Sequence, residues 1–589
     1  MQNPYWIAYR NLRLNNKKRY MASAGLSYQI LDWLNVAGRV RIDNTHSEYE
    51  GKLYASSSNT LTDGSTQGHY TVNNGQYSQT YADVLVNINK RIQDFTIVAN
   101  IGASYSGVTS KELGYAGPIR ETGIPNLFNV YDLDNAKKRA TQVGWREATE
   151  SVFASAEVGW KSMLYLTVTG RNDWASQLTH SPQASFFYPS VGLSAVITEM
   201  LKLPDWVDYL KVRGSFSSVG NPYPRFLTYP TYSYDANKQD WKSQTNYPIG
   251  KLYPERTDSW EIGLDATLFK DFKLSGSFYY ANTYNQTFDP RLPVSSGYDK
   301  LYVQTGYVRN YGFEAMLSYG HRWGDFSWDS SFTFSANKNE IVELVKDYVH
   351  PETGKTYNVD KLELKTDEGR GFGKAKFILK EGGTLGDLYT HADLKRDING
   401  NILIDDSGNV TAIDNAGDIK LGSVLPKANL AWNNSFSYKG INAGFLLTAR
   451  LGGIVYSATQ AYLDLYGVSE TSAAARDAGG VWVNGRSRVN PQSFYEVVAS
   501  QSGLPTYYTY SATNLRLQEA HIGYTIPRRW LGNVCDINVS LVGRNLWMIY
   551  CKAPFDPEAV ATTNNYYQGI DYFMMPSTRN IGFNIKINF

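Results

Sequence analysis

The sequence predicts an all-β fold: a transmembrane antiparallel β-barrel with short turns at one end and long loops at the other. Three observations carry this. Polarity alternates with period 2 along most of the chain, connections alternate short and long, and tryptophans gather at the short ones.

The first observation builds the strands. In YMASAGLSYQI, Tyr20, Ala22, Ala24, Leu26, Tyr28 and Ile30 share one face. In LNVAGRVRID, Val36, Val40 and Ile42 stand opposite Arg39, Arg41 and Asp43. FTIVANIGASY, SVFASAEVGW, SWEIGLDATLF, FKLSGSFYY, FSWDSSFTFS, NLAWNNSFSY and INAGFLLTARL repeat the pattern. About 17 such strands follow from residue 20 onward, each of the roughly 9–11 residues that a tilted strand needs to cross a bilayer.

The second observation orders them. Short connections fall near 31–33, 91–94, 161–164, 198–208, 270–271, 321–325, 439–440 and 527–536. Long ones fall near 45–76, 107–150, 172–185, 220–257, 284–306, 337–427, 453–513 and 546–577. Strict short–long alternation is the mark of an up-and-down barrel with short periplasmic turns and long extracellular loops; a Greek-key sandwich has no reason to keep it.

The third observation places the membrane boundary. Trp33, Trp160, Trp206, Trp323 and Trp530 sit at short turns, where an apolar ring with a polar N–H suits the water–lipid interface. They are expected to form a periplasmic aromatic girdle. The closing strand, NIGFNIKINF, alternates Ile581, Phe583, Ile585, Ile587 and Phe589 toward lipid with polar residues toward the interior.

Composition narrows the function classes. The chain has 589 residues, more than one ordinary soluble core organises. Lysine and arginine total 57 against 55 acidic residues, so nothing marks a nucleic-acid partner. Forty-five tyrosines, 50 glycines and only two cysteines (Cys535 and Cys551) favour many strands and no disulfide framework. No run of 18 apolar residues exists for a membrane helix, and MQNPYWIAYRNLRLNNKKRY lacks the apolar core and cleavage site of a signal peptide.

Parity adds a constraint. If segment 5–19 is external, the first and last strands both run toward the periplasm, and closing an antiparallel barrel then requires an odd number of further strands. Residues 1–589 are accordingly expected to be the C-terminal part of a larger barrel protein, without its signal peptide, plug and first strands.

No catalytic constellation stands out. The histidines (46, 69, 180, 321, 350, 391, 521) are scattered without metal-ligand spacing, and no phosphate-binding glycine motif follows a strand, so no catalytic residue, metal or cofactor is expected. DINGN (397–401) and DDSGN (405–409) carry fragments of a calcium loop, but their glycines miss the EF-hand positions, and two Asx/Gly turns explain them better. The external loops are rich in rings and amides suited to sugars or peptides. Trp174, Tyr229, Tyr232, Tyr234, Trp241, Tyr507, Tyr508, Tyr566 and Tyr567 are the candidate ligand contacts.

NPYW (3–6), SVGN (218–221), WEIGLDATLFKDFKLSGSFYYANTYNQ (260–286), LPVSSGY (292–298), NYGFEAML (310–317), NLRLQEAHIGYTIP (514–527), GRNLW (543–547) and FDPE (555–558) resemble, in order and spacing, the SusC/RagA-like TonB-dependent transporters of Bacteroidetes outer membranes. The resemblance implies a barrel of about 22 strands, five of them outside this chain. It implies outer-membrane uptake of oligosaccharides or peptides, a SusD-like surface lipoprotein as lid, and the TonB complex acting through a plug. Loop 337–427 is, on its length alone, a candidate for the docking or lid contact. A receptor or adhesin barrel that displays loops without transport is the alternative, and an outer-membrane hydrolase fails for want of a Ser/His/acid set.

Overall fold

The computed structural model describes residues 3–227, 232–235, 240–242, 246–247, 252–288, 297–298, 300–349, 354, 356–364, 373–561 and 568–588. Seventeen strands form one antiparallel sheet in which each pairs with the next. They are β1 (Asn11–Leu31), β2 (Leu34–Tyr54), β3 (Gly68–Ile92), β4 (Phe95–Pro118), β5 (Arg139–Trp160), β6 (Leu164–Ala175), β7 (Ser185–Val196), β8 (Val207–Asn221) and β9 (Glu255–Leu268). They continue as β10 (Phe272–Phe288), β11 (Val303–Trp323), β12 (Phe326–Glu343), β13 (Ala428–Tyr438), β14 (Ile441–Leu451), β15 (Asn514–Ile526), β16 (Asp536–Cys551) and β17 (Asn580–Asn588). Among the described residues, every expected short connection holds a turn, and the longer connections fall within the expected long segments.

The turn chemistry explains the tight hairpins. Between β13 and β14, Lys439 and Gly440 both take positive φ (46° and 90°), as a two-residue loop matched to strand twist requires. Gln93 at the β3–β4 turn and Lys161 with Ser162 at the β5–β6 turn also sit at positive φ.

Two expectations need correction. The first strand begins at Asn11, so most of segment 5–19 is strand, preceded by the short helix Pro4–Arg10, whose Asn3 side chain caps it by accepting from the Tyr5 N–H. The strands are also longer than 9–11 residues; β3 has 25, about 80 Å at ~3.3 Å per residue. The alternation that marks a wall strand carries no stop signal, so the hairpins run on into what looked like loop.

The chain has two compact units: residues 1–192, 217–256 and 291–302, and residues 193–216, 257–290 and 303–589. In the first, β4 presents Phe95, Ile101 and Tyr105 outward, each more than 40% exposed, while Asn100, Ser104 and Ser106 take the opposite face. Phe95 and Tyr105 are ten residues apart, about 33 Å along the strand. At the ~40° tilt of barrel strands that makes an apolar band ~25 Å tall.

In the second unit, the long loops after β12, β14 and β16 fold onto one another around one hydrophobic core that includes Phe377, Leu388, Tyr456, Val498, Leu504 and Ile570. A four-stranded sheet (Lys361–Leu364, Ala375–Lys380, Asp387–Thr390, Ile419–Ser423) lies in the first loop. The short strand Ile454–Ser457 pairs with Thr509–Ser511 and, in parallel, with Ile570–Asp571, which ties the other two together. Helices Ala458–Leu465, Glu470–Asp477 and Pro491–Val498 fill this assembly, each capped by a Ser or Asn side chain.

Candidate functional site

Register sorts the wall residues of the second unit by face. Ser277 stands opposite Glu314, Glu314 opposite Ser335, Ser335 opposite Asn429, Asn429 opposite Arg450, and Arg450 opposite Asn514. This row is polar across six strands. On the other face, Leu317, Phe332 and Trp432 follow one another across β11, β12 and β13. Because side-chain direction alternates with period 2, one sheet thus carries a wet surface and a dry one.

A cavity of about 760 Å³ opens on the wet surface, lined by Arg213, Glu314, Arg450, Asn514, Gln518 and Glu558 among others. The loop assembly meets its rim. Arg450 donates through Nη2 to the Val424 carbonyl at 2.6 Å, and Asn514 donates to Ala512 O at 3.1 Å. Arg516 holds the last loop down, bonding Asp556 at 2.7 Å and Glu558 at 3.0 Å. Burial alone would raise the Asp556 pKa; the Arg516 hydrogen bonds and the Glu558 N–H outweigh it and hold the carboxyl below the usual aspartate range. The cavity mixes polar and apolar groups and bears both charge signs, chemistry suited to hydroxyls and amides carried on an apolar frame.

The first unit has its own wet face, built from arginine–aspartate pairs. Arg19 grips Asp43 at 2.9 and 2.5 Å, and Arg39 grips Asp83 at 3.0 and 2.7 Å. Asp173 accepts from Arg171 at 2.7 Å and from the Tyr188 hydroxyl at 2.6 Å. Arg225 pairs with Glu147 and lies 3.7 Å above the Trp145 ring.

The predicted ligand contacts separate into groups. Tyr234 and Trp241 face each other in the ladder Ser233–Asp235/Asp240–Lys242, ring centroids 5.2 Å apart, and both are more than half exposed. Tyr232 beside them is 66% exposed. Tyr508, by contrast, is buried in the loop core and donates to Asp464 at 3.0 Å. Burial first, then the Asp464 charge, push its pKa up. Its ring packs loop on loop and is closed to a ligand in this structure. Tyr507 lies at the edge of the same core, edge-on to Phe494. Trp174 is strand, not loop: it pairs with Glu150 and lies on the dry face, while its neighbour Asp173 takes the wet one. Tyr229, Tyr566 and Tyr567 lie outside the described residues.

The turn tryptophans lie where the sequence puts them, in or beside the short turns. In the first unit, Lys90 lies 4.8 Å from the Trp33 ring, and Trp160 pairs with Phe95. In the second, Trp206 stacks on Phe269 at 5.6 Å, Trp323 on Phe326 at 5.8 Å, and Trp530 contacts Tyr524 at 6.4 Å. On β17, Ile581, Phe583, Ile585 and Ile587 are all close to half exposed or more, on the face shared with Leu541, Val539 and Ile537. Phe589 lies outside the described residues. The 397–401 and 405–409 segments are Asx turns: Asp397 accepts from the Asn399 and Asn401 N–H groups, and Asp405 from those of Ser407 and Asn409.

Single-sequence reasoning missed the arginine–aspartate pairs of the wet face and the polar row. Their signal was present in the charged alternates of the strands, such as Arg39, Arg41 and Asp43, but the partners of Arg19 and Arg39 lie 24 and 44 residues away and need register to be seen.

Comparison with known proteins follows the same lines. The profile of a family described as TonB dependent receptor-like, beta-barrel matches residues 2–546. TonB-dependent receptor P3 of Formosa agariphila is 23% identical over the whole chain, which covers 60% of that protein. TonB-dependent receptor SusC of Bacteroides thetaiotaomicron is 24% identical over 67% of the chain and 40% of its own length. The solved RagAB peptide transporter aligns with the whole chain and 63% of its own at a TM-score of 0.74 and 17% identity. The chain thus spans about 60% or less of the length of these relatives.

Proposed function

The chain belongs to the family of TonB dependent receptor-like β-barrels, and from that premise we propose that it forms the wall and ligand-capturing loops of an outer-membrane importer of oligosaccharides or peptides. The family fixes the outer membrane as its place and a receptor or transporter as its class. The observation that carries the reading is the polar row from Ser277 to Asn514, which lines a cavity beneath a packed loop assembly while the opposite face of the same strands is apolar. A wall of that kind carries a polar solute past lipid; a receptor that only displays loops has no need of a wet interior row.

In this reading the dry face, including Ile581, Phe583, Ile585 and Ile587, meets lipid, and the turn tryptophans form the periplasmic girdle. Exposed Tyr232, Tyr234 and Trp241 are first contacts for ligand. The loop assembly after β12, β14 and β16 docks a SusD-like lipoprotein. A plug driven by TonB, in the further length that the relatives possess, gates the passage. One similar solved structure is described as a peptide transporter and one relative bears the name SusC; both solute classes therefore enter the test.

The test is uptake by cells expressing the complete receptor, with fluorescent oligosaccharide and peptide libraries supplied separately. Import of one class that falls when Glu314→Gln and Arg450→Gln are combined supports the reading. Ligand held at the surface with no internal label defeats transport and leaves a receptor.

A further inference from the structure

The dry face of the first unit is not uniformly convex. A largely apolar hollow of about 890 Å³, within the size range of ligand sites, lies across β1 to β6 with Ala24, Gly38, Ala82 and Ala103 as its floor and Val152, Trp174 and the exposed carboxylate Glu150, opposite Tyr105, at its side. Register puts these floor residues on the face that carries Leu26 and Tyr105, the apolar one. Directly beyond Tyr105, on the same face and toward the long loops, lies a second, polar hollow of about 390 Å³ whose hydroxyls come from Ser78, Thr80, Thr109 and Ser176, with Arg146 among them. The Tyr105 ring bridges the two: it lies over Gly107, where a Cβ would meet its hydroxyl at 2.6 Å, so the ring faces oil and the hydroxyl faces the polar hollow. Arg146 is exposed and has no carboxylate within ion-pair distance among the described residues, and Lys111, across the ladder from Gly144, likewise has none.

We infer that these two hollows form one site for a phosphorylated lipid of the bilayer, its acyl chain in the apolar hollow and its anionic headgroup on Arg146 and the neighbouring hydroxyls. Two arguments select that occupant. The apolar hollow is continuous with the band that faces lipid, so aliphatic chains are the molecules that reach it. Two cations, Arg146 and Lys111, stand on its loop-side rim against one carboxylate, Glu150, and a negative headgroup complements that balance; arginine's fork suits phosphate. The inference rests on the proposed bilayer orientation of this face.

The test uses the full chain in nanodiscs of phosphatidylcholine doped with phosphatidic acid, with co-purified lipid counted by native mass spectrometry. A Cβ added at Gly38 meets nothing closer than 3.9 Å, so the backbone there admits a side chain and Gly38→Leu projects into the hollow. The expected result is a retained phosphatidic acid on the unmodified chain and its loss from Gly38→Leu. Arg146→Gln is expected to keep the lipid but lose its preference over phosphatidylcholine by on the order of tenfold, the worth of one charge-assisted contact. Inorganic phosphate that displaces the lipid, with Gly38→Leu unaffected, overturns the proposal in favour of a free-anion site. A polarity-sensitive dye on Leu26→Cys, in a chain whose native cysteines are serine, separates the two readings. Lipid-like emission with lipid counts unchanged in both variants overturns the lipid site alone; water-like emission overturns the bilayer orientation and the site with it.

Discussion

Arg516 on β15 holds Asp556 of the final loop at 2.7 Å, with both side chains less than a tenth exposed. Removing one partner of a buried pair costs about 3–5 kcal/mol when the charge left behind has no other partner; here Arg516 keeps the half-exposed Glu558 at 3.0 Å, so the cost falls below that range. Asp556→Leu should therefore free the 552–579 loop and expose it to limited proteolysis. Adding Arg516→Met should recover much of the protection, because an apolar pair of similar size removes the stranded charge. Equal cleavage of the single and double variants would show that the loop is held by its core contacts and not by this pair.

The same carboxylate makes loop closure acid-sensitive. Its folded pKa lies below the ordinary aspartate value of about 3.9, so its contribution is present above that value and is lost as pH falls through the depressed one. Protease protection of the loop should hold from neutral pH to about 4 and decline progressively below that value. An acid profile identical to that of Asp556→Leu counts against the linkage.

Tyr508 predicts behaviour at the other end of the scale. Its hydroxyl donates to buried Asp464, which also accepts from Ser469 and from Gln460 at 3.0 Å. A raised tyrosine pKa contributes stability that is complete below about pH 10 and is lost above it, as the unfolded tyrosine ionises first. Tyr508→Phe removes one donor and should destabilise the loop assembly by roughly 1–3 kcal/mol. The difference should shrink progressively as pH rises above about 10, because the unfolded tyrosine ionises there while the buried one still donates. Absorbance titration of tyrosinate against loop protection measures both.

The wall was legible because its physics is local. Period 2 and a tight turn after every second strand give the count, the parity and the positions of Trp33 and Trp323 without any long-range contact. Face assignment was less secure wherever an element was taken for loop: one residue separates Asp173 on the wet face from Trp174 on the dry one, so reading 172–185 as loop moved Trp174 to the wrong chemistry. The loop assembly was hidden for a different reason. Its helices are eight residues long, too short to show a helical period, and its core joins Phe377, Val498 and Ile570 from three separate loops. Tyr508 illustrates the cost: the ring-rich run LPTYYTYSATN reads the same whether its tyrosines meet ligand or one another.

Tyr234 and Trp241 are an exposed pair with a ligand-like use and little structural duty. Trp241→Ala should leave thermal stability within about 0.5 kcal/mol, as for surface sites, while weakening binding of the imported solute by up to about tenfold, the value of one aromatic contact. Isothermal titration with the solute class identified by uptake gives the comparison. An unchanged affinity removes this pair from the capture surface.

Adjacent residues on β17 test which face meets lipid. Ile585 stands opposite Val539 and Asn584 opposite Ser540. Polar Asn584 shares a hollow with Asn538, Ser540 and Arg544, whereas Ile585 continues the apolar row. Ile585→Lys places a charge in hydrocarbon and should cost roughly 2–4 kcal/mol near the midplane, falling toward 0–1 at the interface. Asn584→Lys adds a charge to a wet surface and should cost little, with Lys586, two residues along the same face, as a source of repulsion. Denaturant titrations of the complete receptor refolded into lipid measure both. Near-equal penalties would mean that both residues meet the same medium, and the wet-and-dry division of the wall could not stand.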